Sequence, residues 1–262
     1  MGAKRELSLK IRKTHRYLGL FIGLQFLAWT VSGLYFSWTD IDEIHGDQFK
    51  RKSLSKKGLF SNLISFDSIP VDVEKLDLVL IDNQPYYWIN GQGLYNAQTG
   101  SLKKNISEKE AIGIAKQNLI EGLKVDHVEL LKATDSHHEY RGQKLPVYAI
   151  HYDHPDLLVA YVDAKSGIFK KIRHESWRWF DFLWMGHTMD YKGRDNFNNL
   201  LLRIFSLFGL FTVLCYPYLA NYLFNDNNVQ AGIFLGTSIH DTAQVSAAGL
   251  IYKETFSANE TL

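Results

Sequence analysis

From Tyr17 to Trp38 the chain runs 22 residues without a charged side chain, YLGLFIGLQFLAWTVSGLYFSW. As a helix this run is about 33 Å long, enough to cross the hydrocarbon core of a bilayer. Hydrocarbon offers no water to the backbone, so a single spanning segment must satisfy its polar groups internally, as a helix does. Tyr17, Tyr35 and Trp38 sit near its ends, where amphipathic rings favour the interface. Lys4, Arg5, Lys10, Arg12, Lys13 and Arg16 precede it against Glu6 alone, and Asp40, Asp42, Glu43 and Asp47 follow. The positive-inside rule then reads residues 1–16 as a basic cytoplasmic N-terminus, 17–38 as a first transmembrane helix and the chain beyond Trp38 as exported. A cleaved signal peptide shares the basic start and apolar run, but the bulky Leu34 to Trp38 stretch offers no clear small-x-small cleavage site.

A second apolar run, Leu200 to Phe224, contains Arg203 as its one charge and is expected to return the chain to the cytoplasm. Arg203 lies within a turn of the outer end and can snorkel to the headgroups. Pro217 predicts a kink or an early helix end. Before this span, the aromatic-rich stretch Trp177 to Met185 reads either as an amphipathic segment in the outer interface or as a packed surface element. Against these segments, the whole-chain net charge of +1 and mean hydropathy of -0.17 are averages over unlike parts. They still exclude some classes. A near-neutral chain is unsuited to binding nucleic acid by phosphate neutralisation. The single cysteine, Cys215, excludes an intrachain disulfide framework or a cysteine-built zinc or iron-sulfur site.

Residues 39–199 between the spans are enough for one domain with a real core. Ser107-Glu-Lys-Glu110 is a capping box, and Ala111, Ile114, Ala115 and Leu119 follow at helical spacing, predicting a helix of about four turns that stops at Gly122. Strands are expected at Val128 to Ala133, Val147 to Tyr152, Leu158 to Val162 and Ile168 to Ile172. There is also an internal repeat, about 66–104 and 107–173. Pro85-Tyr-Tyr-Trp88 followed by Tyr95-Asn-Ala-Gln-Thr-Gly100 is echoed by Pro146-Val-Tyr-Ala149 followed by Tyr161-Val-Asp-Ala-Lys-Ser-Gly167. In each copy a strand enters after proline and another ends in an Asx turn with glycine at positive φ, predicting antiparallel sheets with the Ser107 helix covering one face.

The helix Ile106-Ser-Glu-Lys-Glu-Ala-Ile-Gly-Ile-Ala115, Pro146-Val-Tyr148 and Tyr161 to Gly167 together resemble a PepSY domain. Arg12-Lys-Thr-His-Arg-Tyr-Leu-Gly-Leu20, Ser32-Gly-Leu34 and Gly186-His-Thr-Met-Asp-Tyr-Lys-Gly-Arg-Asp195 resemble the membrane motifs of PepSY-associated transmembrane proteins, a likeness covering residues 9–214. The resemblance implies an α+β membrane protein of the bacterial inner membrane, with two or three transmembrane helices flanking a periplasmic PepSY-type domain. It further implies an accessory or binding role in iron or ferric-siderophore uptake or reduction, with haem held by membrane histidines in some members. Soluble relatives suggest instead that such a domain restrains a periplasmic peptidase.

His15 and His187 match that family's histidines and are candidate haem ligands, since haem iron takes axial imidazole readily. One lies at the inner end of the first span and the other before the outer end of the second. About 30 Å of bilayer therefore separates them, and each would need a partner from a homodimer or another membrane subunit. The alternatives are an interfacial basic residue for His15 and a loop histidine stacked on aromatics for His187. His137, His138, His151 and His154, with Asp153 nearby, could meet a metal, though a solvated polar edge explains them as well. The chain shows no phosphate-binding Gly loop, Ser-His-Asp spacing or His-Glu-x-x-His motif, so no complete catalytic constellation is read.

After Leu214 the PepSY-type pattern departs. Residues 212–256, above all Gln230 to Gly249 with Gly-Thr-Ser-Ile-His-Asp-Thr-Ala-Gln-Val, are similar to a fragment of the YeiH-like family assigned to sulfate export. The change near Leu214 reads as a junction between two sequence fragments. Residues 225–262 are expected to be membrane-associated or re-entrant, with Gly232, Gly236, Ala243, Ala247 and Ala248 allowing close backbone approach. His240, Asp241 and Gln244 form a transport-like motif. A second functional reading is thus a fragment or subunit of an anion exporter. The partners expected are the lipid bilayer and other membrane subunits or a second copy, and no nucleic acid.

Overall fold

The computed structural model describes residues 2–51, 62–224, 227–239 and 242–257. Residues 34–183 form one compact unit, and the first 33 residues group with those from 184 onward in another. The chain opens on α1, Gly2–Trp38, which carries helix through the basic stretch and the apolar run alike. A short helix α2, Ile41–Ile44, capped by the Asp40 side chain, follows with a 3-10 turn at Asp47–Phe49.

Two four-stranded antiparallel meanders come next. The first consists of β1 Leu76–Ile81, β2 Gln84–Ile89, β3 Gly93–Asn96 and β4 Leu102–Lys103, and the second of β5 Val125–Leu131, β6 Val147–Tyr152, β7 Val159–Asp163 and β8 Phe169–Arg173. Their turns use the same chemistry. Asn96 Oδ1 accepts from the N–H groups of Gln98 and Thr99 at 2.9 and 3.0 Å, and Asp163 Oδ1 from Lys165 and Ser166 at 2.9 Å each. Gly100 and Gly167 then take φ of +75° and +68°, the left-handed conformation that glycine adopts without a Cβ clash. Ala97 N–H donates to the Pro85 carbonyl at 2.9 Å and Ala164 N–H to that of Pro146 at 3.1 Å. Strand β1 is an element the sequence reading missed. Its signal was the apolar run Leu78 to Ile81 before Asp82-Asn83, both at positive φ in the hairpin turn.

Between the sheets lies α3, Glu108–Asn118, with both arms of the Ser107–Glu110 capping box formed. It buries Ala111, Ile114 and Ala115 in a core shared by Ile81, Trp88 and Leu94 of the first sheet and Ile150, Ala160, Val162 and Ile172 of the second. The helix is three turns long rather than four and ends before Gly122. Leu119 turns extended to pair with Lys50, while Arg51 N–H donates to the Asn118 carbonyl and Ile120 N–H to that of Phe49. A contact from residues far upstream thus ends a helix that local periodicity would have continued.

The outer faces of the sheets are covered by their own loops. Ile69 packs with Tyr87, Ile89 and Ala97, and Tyr140 stacks on Tyr161 with ring centroids 4.6 Å apart. Next comes α4, Glu175–Thr188, so the aromatic stretch from Trp177 is helical. Its first half docks on the second sheet through charge. Arg141 forms a two-armed pair with Asp181 at 2.6 and 3.2 Å, their side chains only 10% and 6% exposed. Glu139 accepts from the Tyr161 hydroxyl and Arg178 Nε, both at 2.6 Å. Trp179 and Phe182 remain exposed on α4.

The helical unit adds α5 Leu200–Phe224, α6 Asn228–Ser238 and α7 Thr242–Tyr252. Gly19–Trp38 of α1 and all of α5 are long and apolar enough to cross a membrane. Pro217 does not end α5: the helix continues to Phe224 with the proline buried inside it. Helices α6 and α7, at 11 residues each, are about 16 Å long and too short to span. The Tyr252 hydroxyl donates to Asn228 at 3.3 Å, which brings the end of α7 to the start of α6 and makes them an antiparallel hairpin. Ala220, Ala231, Leu235, Ile239, Ala248 and Tyr252 form its core with α5. Of the small residues expected at this contact Ala248 is buried, whereas Gly232 and Gly236 face open space, one helical step from the buried Ala231 and Leu235. Ala243 lies outside the residues whose side chains are described.

Replacing Asp181 by Ala removes the carboxylate of a buried ion pair with Arg141. A loss of about 3–5 kcal/mol is expected, measured by denaturant unfolding of the full chain in detergent.

Candidate functional site

A cleft of about 660 Å³ opens in the helical unit between α1, α5 and the hairpin. Phe26, Trp29, Phe205 and Phe208 form its apolar wall, and Thr30, His187, Ser206, Thr212, Ser238 and Gln244 its polar lining. Phe205 meets Phe21 and Trp29 edge-on, at 6.0 and 5.8 Å between centroids, which holds α1 to α5 through rings rather than close backbone packing. Thr30, Ser206 and Thr212 donate their hydroxyls to carbonyls of their own helices, at 2.8 to 2.9 Å. This is how hydroxyls satisfy themselves where water is scarce.

His187 belongs to a latch that fastens α1. Ser32 Oγ lies 2.8 Å from His187 Nδ1, Trp29 Nε1 donates to the His187 carbonyl at 2.7 Å, and Gln25 Nε2 donates to the Gly186 carbonyl at 3.0 Å. The Tyr191 hydroxyl donates in turn to Gln25 Oε1 at 3.0 Å. The imidazole stacks on Trp184, 11° from parallel, and burial holds its pKa below the ordinary 6.5. When the Ser32 hydroxyl donates to the Trp29 carbonyl, as its 3.2 Å contact allows, Nδ1 carries the histidine proton and Nε2 keeps its lone pair.

After the latch, the chain turns on Asp190. Burial pushes this carboxyl up, but the backbone N–H groups of Asn196, Gly193, Lys192 and Asp195 together outweigh it and hold it below the ordinary 3.8. Asn199 completes the turn, capping α5 through the Leu202 N–H at 2.8 Å and donating to the Thr188 carbonyl at 2.9 Å. Gln25, buried, escaped the sequence reading, and Ser32, also buried, entered it only within the Ser32-Gly-Leu34 motif; the signal for a contact was a lone amide and a hydroxyl in a largely apolar run.

His15 lies in α1, seventeen residues or about 25 Å along the helix from Ser32, so the helix separates the two candidate haem histidines. Its side chain is outside the described residues, as are His240 and Asp241 between α6 and α7. Gln244 is described: its Nε2 lies 2.8 Å from where a Cβ on Gly209 would sit, so glycine at this point of α5 admits the amide. The first turn of α7 therefore lies against the middle of α5. His137, His138, His151 and His154 do not converge with Asp153. His138 Nδ1 accepts from Tyr140 N–H, His154 Nδ1 from Asp156 N–H, and Asp153 falls beyond the end of β6 and pairs with Lys124.

Comparison with known proteins bears on the helical unit. Residues 192–261 match a protein family described as Conserved hypothetical protein 698. The matched segment contains the Lys192 to Asn199 part of the turn together with α5, α6 and α7. No curated protein and no solved structure matches the chain.

Replacing Asp190 by Ala is expected to cost on the order of 2 kcal/mol or more, since several backbone donors lose a charged acceptor. Because the folded carboxyl titrates below 3.8, its contribution is complete above that pH and fades as pH falls through the folded value. Melting curves between pH 5 and pH 3 should therefore fall more steeply for the native chain than for Asp190→Asn.

Proposed function

We propose that the chain is an integral membrane protein whose α5–α7 segment serves as a subunit-scale part of a small-anion exporter, with sulfate as the substrate class. The observation that carries the reading is the match of residues 192–261, the stretch that folds into α5 and the α6–α7 hairpin. The similarity of residues 230–249 to sulfate exporters of the YeiH-like type supplies the substrate class. Geometry adds support. With α5 spanning, the hairpin is re-entrant, enters and leaves on the cytoplasmic side, and carries Gln244 to the depth of Gly209, near the bilayer midplane. Interrupted helices of that kind build solute sites there. The lining of the cleft carries no fixed charge, and it includes the Ser238 hydroxyl and the Gln244 amide, groups that can donate a hydrogen bond in place of an anion's water. One such hairpin does not enclose a pathway, so the reading includes further membrane subunits. In cells preloaded with labelled sulfate, deletion of residues 215–262 is expected to abolish chain-dependent efflux and Gln244→Ala to slow it at equal membrane levels. Efflux unchanged by the deletion would sink the proposal.

The second reading is a PepSY-type accessory protein in iron or ferric-siderophore uptake, with the sheet unit periplasmic and the N-terminus in the cytoplasm. It is favoured by the duplicated Pro, Asx-Ala and Gly hairpins and by α3 with its capping box. Among the described side chains of the helical unit His187 is the one imidazole, so a haem would take at most one described axial ligand from this chain. Haem would supply one-electron transfer, and its second ligand would come from another subunit or a second copy. Haem-supplemented protein in detergent is expected to show a Soret band that His187→Ala weakens; a flat spectrum removes haem from this reading.

A further inference from the structure

The second sheet carries a histidine pair that neither functional reading uses. His127 on β5 and His151 on β6 are direct cross-strand partners, and their rings stack 4.2 Å apart and within 9° of parallel. His127 Nδ1 lies 2.8 Å from Asp126 Oδ2, a carboxylate that can fix the tautomer with Nε2 as the outward acceptor. Glu129, exposed, is two residues along β5 on the same face, opposite Ala149 and so diagonal to His151. On the same face lie the buried Ala149, two residues from His151, and Val159, its cross-strand partner on β7, so apolar side chains border the pair.

We propose that His127 and His151, with Glu129 as a third arm, clamp a divalent transition-metal ion such as Zn²⁺ or Cu²⁺. Imidazole and carboxylate are the donors such ions accept, and a cross-strand pair needs only rotation about the side-chain torsions to aim both rings at one ion. Among the described residues no three His, Cys, Asp or Glu side chains already converge, so the ion itself draws Glu129 inward and water fills the remaining position. His151 is half-buried beside the His127 ring. The charges that face it are Glu139 and Glu129, which favour a cation there, and Arg178, which opposes one but is engaged by Glu139 and the Leu157 carbonyl.

The test is calorimetric titration of the full, untagged chain in detergent with Zn²⁺, and electron paramagnetic resonance after adding Cu²⁺. One ion per chain is expected, with imidazole nitrogen couplings on the copper signal. His151→Ala and His127→Gln should each weaken Zn²⁺ binding by more than the roughly tenfold expected of Asp126→Asn. His138→Ala should leave it unchanged, and circular dichroism should show all four variants folded. Zn²⁺ affinity that survives both His127→Gln and His151→Ala, or the absence of saturable binding to the native chain, would overturn the proposal. Equal loss in His138→Ala would overturn it as well, by moving the ion to the 132–146 loop.

Discussion

Polar groups carried into an apolar helix must find partners inside the protein, and in this chain Gln25, Trp29 and Ser32 of α1 find theirs in the segment from Gly186 to Tyr191. These bonds depend on that segment keeping its shape, which it does because Asp190 and Asn199 absorb the backbone donors of the turn that leads into α5. The same bonds hold His187 in the lining of the cleft. If the latch opened, an amide, an indole and a hydroxyl on α1 would each lose a partner, each loss costing on the order of 1–3 kcal/mol.

The sheet unit solves a different problem by duplication. Each meander has one face for the common core around α3 and an outer face that its own loop closes. The Asx turns after β3 and β7 repeat nearly bond for bond, because a side-chain oxygen that accepts two consecutive N–H groups and a glycine at positive φ satisfy the turn without help from elsewhere. Such locally sufficient chemistry is readable from sequence. The charges with which α4 docks on the sheet are not locally sufficient. Asp181 and Arg178 need Arg141 and Glu139 from a loop some forty residues upstream, and a loop without periodicity offers no spacing from which to infer that pairing.

The candidate sites divide along the same line. Gln244 was legible as part of an unusual string, yet its position against Gly209 depends on how a short hairpin folds back on α5. The histidines picked out as a possible metal group, His137, His138, His151 and His154, are close in sequence, yet among the described residues they belong to no group of three that could hold a metal ion. Strand register instead pairs His151 with His127, which sequence distance had hidden.

The sequence by itself determined the two long apolar helices, the capped start of α3, the duplicated hairpins and the likeness of the last segment to exporter proteins. Charge-free length, a capping box, an Asx-Gly turn and a distinctive string are each complete within a few neighbouring residues. Only the tertiary structure decided that α3 stops at Asn118, that α6 and α7 are two half-length helices, that His187 is bound to Ser32, and that His127 faces His151. Each of these rests on a bond between residues far apart in the chain, whose formation depends on packing that no local pattern encodes.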